Sequence, residues 1–103
     1  MKLPNKVKIG PVVFDVELVK KLNEENGDHL DGDIDYRHAK IKIYSGNAKD
    51  VMRHILLHEV LHGVINDSWP ENAPSEADIT RIASALSAML LDNPKFVKLW
   101  RKV

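Results

Sequence analysis

Polar and apolar residues alternate through Lys6-Val7-Lys8-Ile9, break at Gly10-Pro11, and alternate again with Val12, Phe14, Val16 and Leu18. A period of two on both sides of a turn signal predicts two strands joined by a tight turn. Val19 to Glu25 is charged and compatible with a short helix that stops at Asn26-Gly27. Gly32-Asp33-Ile34-Asp35-Tyr36 and Lys40-Ile41-Lys42-Ile43-Tyr44 form a second alternating pair, with Ile34, Ile41 and Ile43 turned inward and lysines outward. Lysines suit a sheet edge because they discourage pairing with another chain, so Lys40 to Tyr44 reads as an edge strand.

The period then lengthens. Ser45-Gly46-Asn47 supplies breakers and an N-cap, Asp50 falls in the first turn, and Val51 to Ile65 fits one helix closed by Asn66-Asp67-Ser68. Trp69 to Pro74 is a proline-marked loop, and Ser75 with Asp78 resembles a capping box for a second long helix. Its apolar stripe is Ile79, Ile82, Ala83, Leu86, Met89 and Leu90. Asp92-Asn93-Pro94 ends it, and Phe96, Val97 and Trp100 predict a short terminal helix packed on the body by its aromatic rings. The sum is an α+β fold: a small mixed or antiparallel sheet, then two long helices packed against one sheet face. At 103 residues, positions 1–103 are expected to form a single domain.

Composition narrows the chemistry. Fifteen basic and fifteen acidic residues give zero formal charge, which argues against nucleic acid as a partner. No apolar run reaches the roughly 20 residues of a membrane span, and Met1-Lys2-Leu3-Pro4-Asn5 lacks a signal-peptide core, so the expectation is a cytoplasmic protein with no membrane partner. Cysteine is absent, so a transition-metal site has only histidine and carboxylate to draw on.

His58 and His62 stand four apart, one turn above the other on one helix face, and can both turn a ring nitrogen to one ion. Glu59 beside them completes His58-Glu59-Val60-Leu61-His62, the HExxH spacing of a zinc site with a general base. Apolar Ile55, Leu56, Val60 and Leu61 mark the helix as buried, and two histidines and a glutamate buried together without a metal are costly. His54 shares the face but lies about 12 Å along the axis from His62, too far for one ion, and reads as a neighbour of the site or a core histidine. His29 and His38 read as loop or turn residues.

A catalytic zinc needs a third protein ligand and an open position. No histidine follows His62, and Ile65 and Ser68 occupy the positions where the extended metzincin pattern needs Gly and His. That leaves downstream carboxylates. Glu76 is the best placed, in the first turn of the returning helix on the face of Ile79 and Ala83; Asp78 and Asp67 remain as alternatives. Tyr36, His38 and Tyr44 are available to stabilise an oxyanion, and their spacing selects none of them.

The HExxH helix, the Gly32–Tyr36 and Ile41–Ile43 hairpin, and the helix from Glu76 to Asn93-Pro94 together resemble small phage-encoded zincins related to ImmA/IrrE-type metallopeptidases. The resemblance implies a zinc metallopeptidase of the minimal gluzincin kind, with Glu76 as third ligand and an extended peptide or protein substrate added to the Lys40 to Tyr44 strand. Many gluzincins carry an acidic residue four positions after that glutamate; here it is Thr80. Two other classes stay open: a zinc-binding interaction or regulatory module without peptidase activity, and a structural domain that binds no metal.

Overall fold

The computed structural model of the chain describes residues 2–101. Strands β1 (Lys6–Ile9), β2 (Val12–Val19), β3 (Gly32–Asp35) and β4 (Lys40–Tyr44) precede helices α1 (Lys49–Ser68), α2 (Glu76–Asp92) and α3 (Pro94–Lys98). The sheet runs in the order β1-β2-β4-β3 and is mixed: both hairpins are antiparallel, while β2 and β4 pair in parallel with Val16 opposite Ile41. The expected α+β class with a small sheet is present. No helix among the described residues is long and apolar enough to cross a membrane.

The edge assignment is corrected. β4 lies inside the sheet between β2 and β3, and Ile41 and Ile43 are fully buried. Its lysines flank the sheet's other face, where Lys40 pairs with Glu17 of β2 at 3.2 Å. The free edges are β1 and β3.

One face of the sheet packs on α1. Ile9, Phe14, Ile41 and Ile43 meet Met52 and Leu56 in a single apolar cluster. The buried residues of α1 are Met52, Leu56, Glu59 and Gly63, spaced four, three and four, which is the sheet-facing stripe of a 3.6-residue helix. Gly63 is the point of closest approach: a Cβ there would lie 2.7 Å from Ile9 Cδ1 and 3.1 Å from Ile34 Cδ1. The helix therefore sits low on the sheet, with Glu59 one turn away pressed towards β3. α2 packs on α1 and touches no strand, so the expectation that both long helices cover the sheet is not met.

Other local features differ from the sequence reading. Residues after β2 form a small excursion closed by a bridge between Asn23 and His29, with Gly27 at φ +90°, rather than a helix. Leu22 is its one buried apolar anchor, too few for an amphipathic stripe. The residue preceding α1 is Ala48, with no side-chain cap. Both expected capping residues are used elsewhere, since Ser45 Oγ donates to the Val19 carbonyl and Asn47 Nδ2 to Asp31. α2 has the expected capping box, with Ser75 Oγ accepting from Asp78 N and Asp78 Oδ2 accepting from Ser75 N. α3 forms but, among the described elements, packs on α2 alone; Phe96 and Trp100 meet each other edge-on, and Trp100 is 77 % exposed.

Candidate metal centre

α1 presents two adjacent stripes. One faces the sheet and carries Glu59; the next faces α2 and carries His58 and His62. The loop from Trp69 to Pro74 turns the chain so that α2 begins beside the second stripe, and Glu76, its first residue, lies over both rings. Glu76 Oε1 is 2.8 Å from His58 Nε2, Glu76 Oε2 is 2.7 Å from His62 Nε2, and the two Nε2 atoms are 3.1 Å apart. The imidazoles are mostly covered, with 17 % and 23 % of their side-chain surface exposed, while Glu76 is open to solvent.

These three residues form a group able to hold a metal ion, their ligand atoms all lying within 4.8 Å of one another. The donor chemistry fits. Each Nε2 carries at most one proton, and an ionised Glu76 accepts from both rings only if both are protonated at Nε2. The two ring N–H groups then face each other across 3.1 Å, an unfavourable contact between donors. A cation taking a lone pair from each group removes that conflict. Donor atoms around a tetrahedral zinc lie about 3.3 Å apart, given bonds of about 2.0–2.1 Å, so the two Nε2 atoms at 3.1 Å are already close to that spacing.

Glu59 is 8 % exposed and makes no hydrogen bond or ion pair among the described residues. Burial first, then the charges of Glu76 and Asp33, push its carboxyl up to about 7. Gly32 of β3 makes room for it: a Cβ at Gly32 would come within 3.2 Å of Glu59 Cγ and Oε2 and still closer to Ile55. A glycine inside a strand is the sequence signature of such an approach, and that signal was available in Gly32-Asp33-Ile34.

The alternative ligands have other partners. Asp78 completes the α2 cap and lies 3.5 Å from Arg81. Asp67 sits in the last turn of α1 against the β1–β2 turn, where a Cβ on Gly10 would lie 2.6 Å from its carboxylate. Thr80 Oγ1 donates to the Glu76 carbonyl, so it buttresses the backbone of that residue and not its carboxylate. His54 lines a cavity beside His58 without joining the group.

Two open cavities of about 710 and 340 Å³ flank the centre, one along the His62 side and one along the His58 side, sharing Leu30, Gly32, Glu59 and Glu76 as their common wall. Tyr36, His38 and Tyr44 line neither. His38 is tied to Asp35 in the β3–β4 turn at 2.8 Å, and Tyr44 packs edge-on to His29, which in turn bonds Asp31. Tyr36 is the one linked to the site: burial first, then the charges of Glu59 and Asp33, raise its phenol above the ordinary value. Sequence reasoning missed Gly32 and Asp33 as site residues, along with Glu24 and Glu25, which the small excursion after β2 brings to the wall of the larger cavity. The chain gives no significant match to a protein-family model, a curated protein or a solved structure.

Proposed function

We propose that the chain is a zinc-dependent metallopeptidase in which His58, His62 and Glu76 hold the ion and Glu59 is the general base. The observation that carries this reading is the convergence of two imidazoles and a carboxylate beside a buried, unpartnered glutamate at the junction of two open cavities. Its sequence resemblance to small phage-encoded zincins of the ImmA/IrrE and minimal gluzincin type points the same way.

Zinc in this position supplies a Lewis acid for a peptide carbonyl and acidifies a water molecule. The protein's own residues do the rest. Glu59 takes the proton from the attacking water and returns it to the leaving amine; a carboxyl poised near neutrality serves both directions at physiological pH. Its position on the sheet-facing stripe of α1 fixes the carboxylate against β3. That strand has a free edge whose backbone groups are available to an extended peptide, and Gly32 places the edge directly beside Glu59. The substrate strand is therefore assigned to β3 in place of β4.

One observation favours a second reading, a zinc-binding interaction module without hydrolysis. Among the described residues the Glu76 carboxylate has no partner beyond the two histidines, Thr80 included, and its side chain is 69 % exposed, a loose arrangement for a catalytic ligand. The two readings separate in a metal-removal experiment. Hydrolysis of a quenched fluorescent casein is expected to disappear with 1,10-phenanthroline and to return on adding one equivalent of zinc. Zinc-loaded protein that leaves casein and a mixed peptide library intact contradicts the peptidase reading.

A further inference from the structure

We propose that Asn26-Gly27 is a modification site, at which the chain's own backbone and water convert the asparagine, through a cyclic succinimide, to aspartate and isoaspartate. The inference is independent of the metal centre and holds whether or not zinc binds. Of the seven asparagines, Asn26 alone precedes a glycine. The attacking atom is the backbone nitrogen of the following residue, and glycine lacks the Cβ that crowds its approach to the side-chain carbonyl carbon. Both residues are exposed in the turn of the excursion after β2. Gly27 has φ +90°, and nothing lies within 4 Å of where its Cβ would stand, so a five-membered ring has space to close.

The surrounding bonds favour the step. Asp28 N donates to Asn26 Oδ1 at 2.9 Å, the oxygen on which negative charge builds as the carbonyl is attacked. Among the described residues a single bond, Gly27 N to the Glu24 carbonyl at 2.9 Å, restrains the nucleophile. Gly27 N loses its proton to solvent and bonds to Asn26 Cγ; the Cγ–Nδ2 bond breaks, and the nitrogen takes a proton from water and leaves as ammonia. Water then adds to either ring carbonyl. Cleavage between Gly27 N and Cγ leaves aspartate. Cleavage between Gly27 N and the Asn26 backbone carbonyl carbon leaves isoaspartate, with the main chain routed through Cβ and Cγ.

Asp31-Gly32, the one Asp-Gly pair, is the contrast. Hydrogen bonds from Asn47 and then His29, both at 3.1 Å, hold the Asp31 carboxyl ionised, a poor target for a nucleophile. Gly32 is fixed in β3, where a Cβ would run into Ile55. Conversion at Asn26 alters the wall of the larger cavity. A carboxylate there loses the bond from Nδ2 to Asp28 Oδ2 and sets two like charges together. Isoaspartate also lengthens the main chain between Glu24 N and the Asp28 carbonyl, which bond at 2.7 Å. Asn23, Glu24 and Glu25 line that cavity, so their anchoring is loosened.

The test incubates wild-type protein in mildly alkaline heavy-oxygen water, with a free peptide spanning residues 23–28 as a clock. Peptide mapping by mass spectrometry follows each asparagine, and enzymatic methylation reports isoaspartate. Asn26 is expected to be lost at least about tenfold faster than any other asparagine. Its product should carry one heavy oxygen and include isoaspartate, with Asp31 unchanged. Hydrogen exchange at the Glu24 amide is expected to quicken in the converted protein. Asn26→Gln, whose longer side chain closes the ring far less readily, should stay intact and keep that amide protected. An Asn26 that remains an amide once the free peptide has converted, equal loss at other asparagines, or isoaspartate at Asp31 instead would each overturn the site. Conversion that leaves the Glu24 amide as protected as before would overturn its effect on the cavity wall.

Discussion

Replacing Glu59 with glutamine is expected to lower peptide hydrolysis by about 10²- to 10⁴-fold while leaving one zinc bound, the range attributed to a positioned general base. Glutamine keeps the shape and the burial but cannot take a proton. The same substitution has a second consequence in protein stripped of metal. Glu59 titrates at about 7 in the fold, above the ordinary carboxylate value of 4.5, because burial and the charges of Glu76 and Asp33 disfavour its ionised form. A raised carboxyl favours the folded state fully below pH 4.5; that contribution is lost as pH rises to 7 and is absent above it. Metal-free wild type should therefore be less stable than the variant at pH 8 by on the order of 2 to 3 kcal/mol, and similar to it near pH 4. Urea unfolding of both proteins at the two pH values checks this. A variant that is no more stable at pH 8 means that Glu59 is not held in an unfavourable ionised state.

Glu76→Ala is expected to weaken zinc binding by at least about 100-fold, more than the 10- to 100-fold typical of losing an outer partner of a metal ligand, because a ligand and its charge both go. Glu76 is exposed and lies at the first turn of α2, so the fold should survive its loss. Asp78→Ala is the informative comparison. It removes the Ser75 N to Asp78 Oδ2 half of the capping box, leaves the Ser75 Oγ cap on Asp78 N in place, and should cost about 0.5 to 1 kcal/mol of stability while leaving zinc affinity unchanged. Competition titration against a chromophoric chelator, with thermal melts of the same samples, distinguishes the two. Equal zinc affinity in Glu76→Ala and wild type would remove Glu76 from the ligand set.

Much of this site was legible in the chain because it depends on local periodicity and one simple return. The four-residue spacing of His58 and His62 needs only a helix, and the apolar neighbours of that pair dictate one. Glu76 needs only an antiparallel return of α2, which the Ser75–Asp78 cap and the short proline loop arrange. The strand order was not legible. Lys40-Ile41-Lys42-Ile43 alternates identically whether β4 lies at an edge or inside a sheet with one face solvated, and its neighbour β2 is chosen by a parallel pairing that no local pattern encodes. The same non-local contacts explain the missing N-cap of α1: Ser45 and Asn47 have capping chemistry but spend it on Val19 and Asp31, residues distant in sequence. Glu24, Glu25 and Asp33 were invisible as site residues for a related reason. A charged turn and a strand acidic residue look like solvated surface until the topology sets them around one cavity. Phe96 of α3 and Trp100 just beyond it show the converse, an apolar pattern without a core to meet it.

The most direct test of the account is the zinc content of wild-type protein, purified without added metal, then saturated with zinc, dialysed and assayed by elemental analysis, with a thermal melt before and after saturation. One zinc per chain is expected after dialysis, with a melting temperature raised by binding to the folded state. Protein that retains no stoichiometric zinc and melts at the same temperature with and without it would contradict the metal centre, and with it the function built on His58, Glu59, His62 and Glu76.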